Sequence, residues 1–161
     1  MKAPLIVSFL LAAGLLAGCS KSDSTAPAPA AAPAGPRTIA IQANDTMKYD
    51  VTRIEAAPGE ELKVVLTNAG TLPKEAMGHN WVLLQAGVDA AAFATAATTA
   101  KDTGYIPPAL KDQIIVHIDQ LGPKQSGEVT FKAPTAPGEY QFLCSFPAHF
   151  QIGMKGVLVV K

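Results

Sequence analysis

This chain has few cysteines, few histidines and no formal net charge. Its 161 residues include two cysteines, Cys19 and Cys144, and three histidines. Two cysteines do not form a disulfide framework, and we expect no bridge between them, because it would tie a flexible N-terminal segment to the folded part. Basic and acidic residues number 13 each, so the formal net charge is zero. This balance offers no basic surface for nucleic acid and no polybasic patch for a membrane.

Long apolar runs are absent from the N-terminus as well. The run over residues 5–16 is too short to span a bilayer, and with Lys2 before it and small residues after it the pattern is typical of a secretory signal over residues 1–18. The residues Leu-Ala-Gly-Cys that end at Cys19 resemble a bacterial lipoprotein signal, although an ordinary leader with a coincidental cysteine is the alternative. Removal of Lys2 with the leader leaves 12 basic against 13 acidic residues, a net charge near −1.

Residues 19–36 combine the expected lipidated cysteine with a stretch rich in alanine and proline. Such a stretch buries too little apolar surface to offset the entropy of ordering it. At ~3 Å per residue an extended proline-rich segment reaches roughly 50 Å, so we interpret it as a tether that lets the folded part move away from the membrane. Plain spacing is the alternative role. The expected location is the bacterial periplasm, at the outer rather than the inner membrane, or the cell surface, with the lipid at Cys19 as anchor.

Residues 37–161 have the length of one domain. Short segments with alternating apolar or β-branched residues predict strands at 38–43, 47–56, 61–67, 80–85, 113–119, 127–132, 140–144 and 156–161. Many short strands separated by Pro and Gly turns favour a β-sandwich or barrel. The alanine-rich segment 88–100 predicts a helix of about three turns, followed by an extended stretch at 104–108.

A thiol, an imidazole and a thioether lie close together near the C-terminus. Four residues separate Cys144 from His149, and four more separate His149 from Met154. His79 supplies a second imidazole. A thiolate with two imidazoles and a weak thioether is the ligand set of mononuclear blue copper. Taken singly, the cysteine fits an inert buried thiol and the methionine a core residue, and spacing alone does not tie His79 to Cys144.

Two enzymatic uses of these residues are weaker. A catalytic Cys–His dyad would need an oxyanion device and a third, orienting residue, and the sequence supplies neither in recognisable form. A copper enzyme such as a nitrite reductase would need a second copper site, for which only His117 remains. We interpret His117 as a side chain on the surface of a strand. The sequence therefore predicts that the protein is not an enzyme.

The motif Gly78-His79-Asn80-Trp81, taken with the segment from Cys144 to His149 and with Met154-Lys155-Gly156, resembles the azurins and auracyanins, which are blue-copper cupredoxins. The resemblance covers nearly all of residues 38–161. It implies an all-β, cupredoxin-like Greek-key sandwich of about eight strands with a helical insertion near residues 88–103. Four residues between the last two ligands match auracyanin, since azurin has one fewer. The N-terminal disulfide of azurins has no counterpart in this chain.

The resemblance also implies roles for individual residues around one copper ion that cycles between Cu(I) and Cu(II). Its expected ligands are His79, Cys144 and His149 in a plane, Met154 as the axial ligand and the carbonyl of Gly78 as a further contact. The side chain of Asn80 would hold the Cys144 loop, although a plain turn residue is the alternative, and the amide of Phe146 would donate to the sulfur. Such donors tune a reduction potential.

The same resemblance implies a function and a way of meeting partners. Four protein ligands leave no open position for a substrate, so the site suits a carrier of single electrons. Electrons would pass the edge of His149 within an apolar docking patch made of Met77, Pro147 and Ala148. Redox proteins would bind there through weak, transient apolar contacts, since a nearly neutral chain provides little charge steering. A copper storage or delivery module without redox turnover is the alternative.

Overall fold

The computed structural model of the protein describes residues 35–161. The predicted leader, the lipidation site Cys19 and most of the predicted tether lie outside these residues. The described part contains eight strands: β1 (Arg37–Ala43), β2 (Arg53–Ala56), β3 (Glu61–Asn68), β4 (His79–Leu84), β5 (Ile114–Leu121), β6 (Ser126–Lys132), β7 (Gly138–Leu143) and β8 (Lys155–Val160). The helices are α1 (Lys74–Met77) and α2 (Ala90–Ala97), with short 3-10 helices at Lys101–Thr103 and Pro108–Gln113.

The strands form two sheets. One has three strands in the order β1-β3-β6, and the other has five in the order β2-β8-β7-β4-β5. β1 pairs in parallel with β3, and β2 pairs in parallel with β8, whereas the remaining pairs are antiparallel. The chain therefore crosses from one sheet to the other between its first two strands. Eight strands in two sheets confirm the predicted all-β sandwich.

The main core lies between the sheets. Alternate residues of β3 (Leu62, Val64 and Leu66) are fully buried, as the period of two along a strand requires. From the other sheet, the Trp81 ring packs against the Phe142 ring with 5.4 Å between centroids. Burial of these large side chains stabilises each by roughly 1.5–3 kcal/mol.

All six residues of β4 are buried, which sets this strand apart from its neighbours. Its inward side faces the sandwich core, and its outward side chains pack in a second cluster with Phe93 and Ala94 of α2. Asp89 starts α2 by accepting hydrogen bonds from the amides of Ala91 and Ala92 at 2.9 and 3.1 Å. The predicted helical insertion is thus confirmed, although α2 is shorter than the predicted segment. The insertion covers the strand that begins at His79.

The predicted strand over residues 47–56 is wrong for most of its length, because only Arg53–Ala56 pairs in a sheet. The amide of Met47 donates to the carbonyl of Asn44 at 2.9 Å, and Met47 has a φ of 56°. A left-handed residue closes a turn and cannot continue a strand. Tyr49 then returns to form a single bridge with Ala43 at the end of β1.

Two smaller differences concern helices. The helix α1 spans four residues, too few to show a helical period in the sequence. The predicted extended stretch at 104–108 ends early, because a 3-10 helix begins at Pro108 after Gly104 has closed the preceding one in a left-handed conformation. No helix within residues 35–161 is long and apolar enough to cross a membrane.

Candidate metal centre

Strand pairing places two distant parts of the sequence side by side. β4 and β7 are antiparallel neighbours in which Val82 pairs with Leu143, so the start of β4 lies beside the end of β7. His79 is the first residue of β4, and Cys144 directly follows β7. Topology therefore supplies the proximity of His79 and Cys144 that sequence spacing could not establish.

The structure brings together three of the predicted ligands: His79, Cys144 and His149. Their ligand atoms all lie within 4.8 Å of one another. The Cys144 Sγ is 3.4 Å from the His149 Nδ1, and the two imidazole rings have centroids 5.0 Å apart. All three side chains are buried, and even His149 is only 1% exposed.

The fourth predicted ligand, Met154, is joined to Cys144 and His149 by backbone hydrogen bonds. Its amide donates to the carbonyl of His149 at 2.9 Å, and its carbonyl accepts from the amide of Cys144 at 3.1 Å. The Met154 side chain is fully buried in the same apolar cluster as Cys144. These two bonds close the segment from Cys144 to Met154 into a loop whose ends cannot separate without breaking them.

Asn80 connects this loop to β4. Its Oδ1 accepts from the amide of Ser145 at 2.8 Å, and its Nδ2 donates to the Ser145 Oγ at 2.7 Å. The Ser145 hydroxyl in turn donates to the carbonyl of Tyr105 at 2.6 Å. Asn80 lies inside β4 and is buried, and its side chain joins this strand to the loop that follows β7.

Burial dominates the electrostatics of the three polar ligands. It raises the pKa of the Cys144 thiol, the backbone amides of Asn80 and Phe146 lower this pKa in part, and the net value is about 12. Burial also lowers the pKa of His149 to about 4, with a smaller contribution from His79 nearby, and it lowers the pKa of His79. Near neutral pH the metal-free site thus holds a protonated thiol and two uncharged rings, and a metal would displace the thiol proton.

His79 is incompletely satisfied without a metal. Both of its ring nitrogens are buried and lack a hydrogen-bond partner among the described residues. The carbonyl of Asn44 attracts the protonated ring but does not meet the distance and angle of a hydrogen bond. An unpaired buried polar group costs roughly 1–3 kcal/mol, and a metal ion would remove this cost. Two imidazole nitrogens, a thiol sulfur and a thioether are donors that fit copper.

The other predicted residues surround His149 and His79. Phe146 packs on the His149 ring with 4.6 Å between centroids. Of the predicted docking patch, Met77 and Pro147 are half-buried and Ala148 is exposed. Gly78 has no room for a Cβ, because the side chain of Gln120 and the Lys74 carbonyl already fill that space. The approach of the Gly78 carbonyl to copper stays a prediction.

Sequence reasoning missed two exposed apolar residues, Leu72 and Ile152, which are 42% and 43% exposed. The amide of Ile152 donates to the carbonyl of Ala148 at 3.2 Å, which places Ile152 beside the predicted patch. Its position between His149 and Met154 was the available signal. His117 lies exposed on β5, with its Nε2 3.4 Å from a carboxylate oxygen of Asp119, as expected for a residue on a strand surface.

Comparison with known proteins gives consistent matches. A family model described as copper-binding proteins of the plastocyanin/azurin family matches residues 37–161. Auracyanin-B of Chloroflexus aurantiacus is 34% identical over 126 residues, which are 77% of this chain and 52% of that protein, so the chain spans about half of the length of this relative. Azurin of Pseudomonas chlororaphis is 35% identical over 127 residues, 76% of this chain and 97% of the azurin. The crystal structure of dithionite-reduced auracyanin from Roseiflexus castenholzii superposes with a TM-score of 0.69 at 35% identity, covering 79% of this chain and 99% of that one.

Proposed function

Because this chain belongs to the plastocyanin/azurin family of copper-binding proteins, we propose that it shuttles single electrons between redox partners at a membrane surface. Its membership confirms the predicted resemblance to azurins and auracyanins and the prediction of one copper ion. It also agrees with blue-copper electron transfer as the general function. Azurins and auracyanins are electron carriers and not enzymes, as predicted for this chain.

We assign the copper ligands to His79, Cys144 and His149, with Met154 as a weaker fourth ligand and the Gly78 carbonyl as a further contact. The observation that carries this assignment is the convergence of three buried donor atoms within 4.8 Å, one of which belongs to a ring whose nitrogens have no hydrogen-bond partner within residues 35–161. When bound, copper supplies the one-electron Cu(I)/Cu(II) couple. The chain supplies a thiol whose ionised form is stabilised by the amides of Asn80 and Phe146.

The surroundings of the site favour electron exchange without rearrangement. Asn80 fixes β4 to the Cys144 loop, and the two backbone bonds of Met154 fix the same loop at its other end. A site that is held in this way needs little movement between two oxidation states, which favours rapid transfer.

We propose His149 as the route by which electrons enter and leave. His149 itself is buried, while the loop that carries it exposes Ala148 and Ile152. With Met77 and Pro147 these residues form an apolar surface on which a redox protein can dock. The near-neutral charge of the chain makes such contacts weak and transient, and it gives no support to nucleic acid as a partner.

For the N-terminus we propose a leader over residues 1–18, lipid attachment at Cys19 and a tether over residues 19–36 that carries the domain of residues 37–161. This arrangement rests on the sequence pattern alone and would place the protein in the periplasm, at the outer membrane, or at the cell surface. Labelling of cells with a radioactive fatty acid tests it, because Cys19→Ser should abolish the label. An unlabelled wild-type protein would contradict it.

Copper addition tests the central proposal. The purified protein should develop an intense visible thiolate-to-Cu(II) band and cycle reversibly between oxidised and reduced forms, and Cys144→Ser should abolish the band. His117→Ala is the matched control and should leave it unchanged, because His117 lies exposed on β5. A storage or delivery module would instead release Cu(I) readily and show no such band. A colourless wild-type protein would contradict the proposed function.

A further inference from the structure

Residues 44–50, here named the brace segment, contact both parts of the chain that carry the candidate ligands. The Lys48 ammonium donates to the carbonyl of Ile152, in the loop between His149 and Met154. The hydroxyl of Tyr49, the next residue, donates to the buried carbonyl of Asn80 directly after His79. Two adjacent residues thus contact the two chain segments that carry the candidate ligands, and neither is needed as a metal ligand.

The brace segment is itself held in place. The amide of Met47 donates to the carbonyl of Asn44, which closes a turn. Beyond the turn, Asp50 makes two bonds to Gln42 of β1: its amide donates to the carbonyl at 3.1 Å, and its carboxylate accepts from the amide at 2.7 Å. The brace segment is thus attached to β1, and this attachment holds Lys48 and Tyr49 in place against the residues that they contact.

The loop that Lys48 contacts needs such support. It bears the exposed Ile152, it has left-handed backbone at Gly153, with a φ of 96°, and it directly follows the left-handed Ala148, with a φ of 69°. The ammonium lies directly over the loop, because a Cβ added at Gly153 would be 2.7 Å from the Lys48 Nζ. A hydrogen bond from a charged donor to a carbonyl is stronger than one between neutral groups.

Tyr49 supports the other side from within the core. Its ring packs against Phe142 with 5.8 Å between centroids, and its hydroxyl is buried. The Asn80 carbonyl that it contacts belongs to the residue whose side chain holds Ser145. Without the hydroxyl this carbonyl would lose the partner that the structure gives it.

We infer that Lys48 and Tyr49 are positioning residues, which hold the His149–Met154 loop and the start of β4 in the metal-binding arrangement before the metal arrives. The inference rests on the proposed function in that it takes His79, His149 and Met154 as ligands. Its physical content is preorganisation: copper then binds without having to order the loop.

The test compares Lys48→Met with Lys124→Met in the full chain. Lys124 is a matched control, since its ammonium also donates to a backbone carbonyl, that of Ala69 at 2.7 Å, on a loop without candidate ligands. In the metal-free protein, amide hydrogen exchange over residues 150–154 should be about fivefold faster in Lys48→Met, the factor expected for loss of one hydrogen bond, and unchanged in Lys124→Met. Lys48→Arg should restore slow exchange.

The same variants are then loaded with copper. Transfer of copper to a chelator should also be about fivefold faster for Lys48→Met than for the wild type or Lys124→Met. Tyr49→Phe keeps the ring and removes only the hydroxyl, so it should speed amide exchange over residues 79–81 and leave residues 150–154 unchanged. The Lys48 comparison decides the inference even where Tyr49→Phe fails to fold.

The outcomes separate this inference from the proposed function. Unchanged exchange over residues 150–154 in Lys48→Met overturns the inference, whatever the colour of the protein. Faster exchange with unchanged copper release also overturns it, since Lys48 would then support the loop without serving the site. A wild-type protein that binds no copper overturns the proposed function, and with it any positioning role, while normal colour with faster exchange and release supports both.

Discussion

Cys144 shows how two opposing influences act on a single side chain. Burial raises the pKa of the thiol and the backbone amides of Asn80 and Phe146 lower it in part, which leaves the pKa at about 12. Such donors stabilise a thiolate and have little effect on a neutral thiol. The residue is thus arranged for a charge that appears only when a metal replaces the proton.

A prediction at this scale concerns Met154. Met154→Leu should leave copper bound and the fold stable to within about 1.5 kcal/mol, because the volume is nearly conserved. It should raise the reduction potential, since an apolar side chain in place of the thioether disfavours the more highly charged Cu(II). Voltammetry of the two proteins checks this. An unchanged spectrum and potential would mean that Met154 is not a ligand.

At the scale of elements, the site depends on β4 being buried on both faces. The sandwich core covers one face, and α2 covers the other through Phe93, which is almost fully buried against Val82 and Leu84. Leu143, the residue before Cys144, packs in the same cluster. The helical insertion therefore keeps water away from β4, which begins at His79, and from β7, which ends directly before Cys144.

Truncation of Phe93 measures this contribution. Phe93→Ala should lower the free energy of unfolding by about 3–5 kcal/mol, the usual cost of deleting a buried aromatic ring. Thr95→Ala, at an exposed position of the same helix, should stay within about 0.5 kcal/mol of the wild type. Urea unfolding of the metal-free proteins gives both values. A small effect of Phe93→Ala would show that α2 contributes little to the core.

At the scale of the whole molecule, the buried rings and thiol make folding depend on pH in the metal-free state. Burial lowers the pKa of His149 from 6.5 to about 4 and lowers the pKa of His79. Between these values the unfolded chain binds more protons than the folded one, so stability falls as the pH falls. The Cys144 thiol acts at the alkaline end: its pKa is raised from 9.0 to about 12, so stability falls as the pH rises above 9.0.

We therefore expect the metal-free protein to be most stable between about pH 6.5 and pH 9.0. The loss on the acid side due to His149 should be about 1–2 kcal/mol after allowance for solvent screening. Urea unfolding across the pH range measures it. Cys144→Ser should flatten the curve between pH 9.0 and pH 10.0 and leave the acid side unchanged, while the buried Tyr49 hydroxyl, whose pKa burial raises above 10.0, still lowers stability at higher pH. A stability that does not change from pH 7 to pH 4 would contradict the assigned burial of the two rings.

Much of the domain follows from local patterns. Seven of the eight strands were predicted nearly in place, because alternating apolar residues and Pro or Gly turns are local signals. The segment 47–56 misled this reasoning, since its residues suit a strand by type while the bonds of Met47 to Asn44 and of Asp50 to Gln42 turn the chain back. The same turn produces the brace segment.

The available donors, and the position of Cys144, His149 and Met154 on one short loop, can be read from the printed residues, since side-chain chemistry and short spacings are properties of the chain alone. The folded arrangement brings His79 to them, because the antiparallel pairing of β4 with β7 is a long-range contact. It also places Lys48 over the loop, which no local pattern encodes, because the two segments are 104 residues apart.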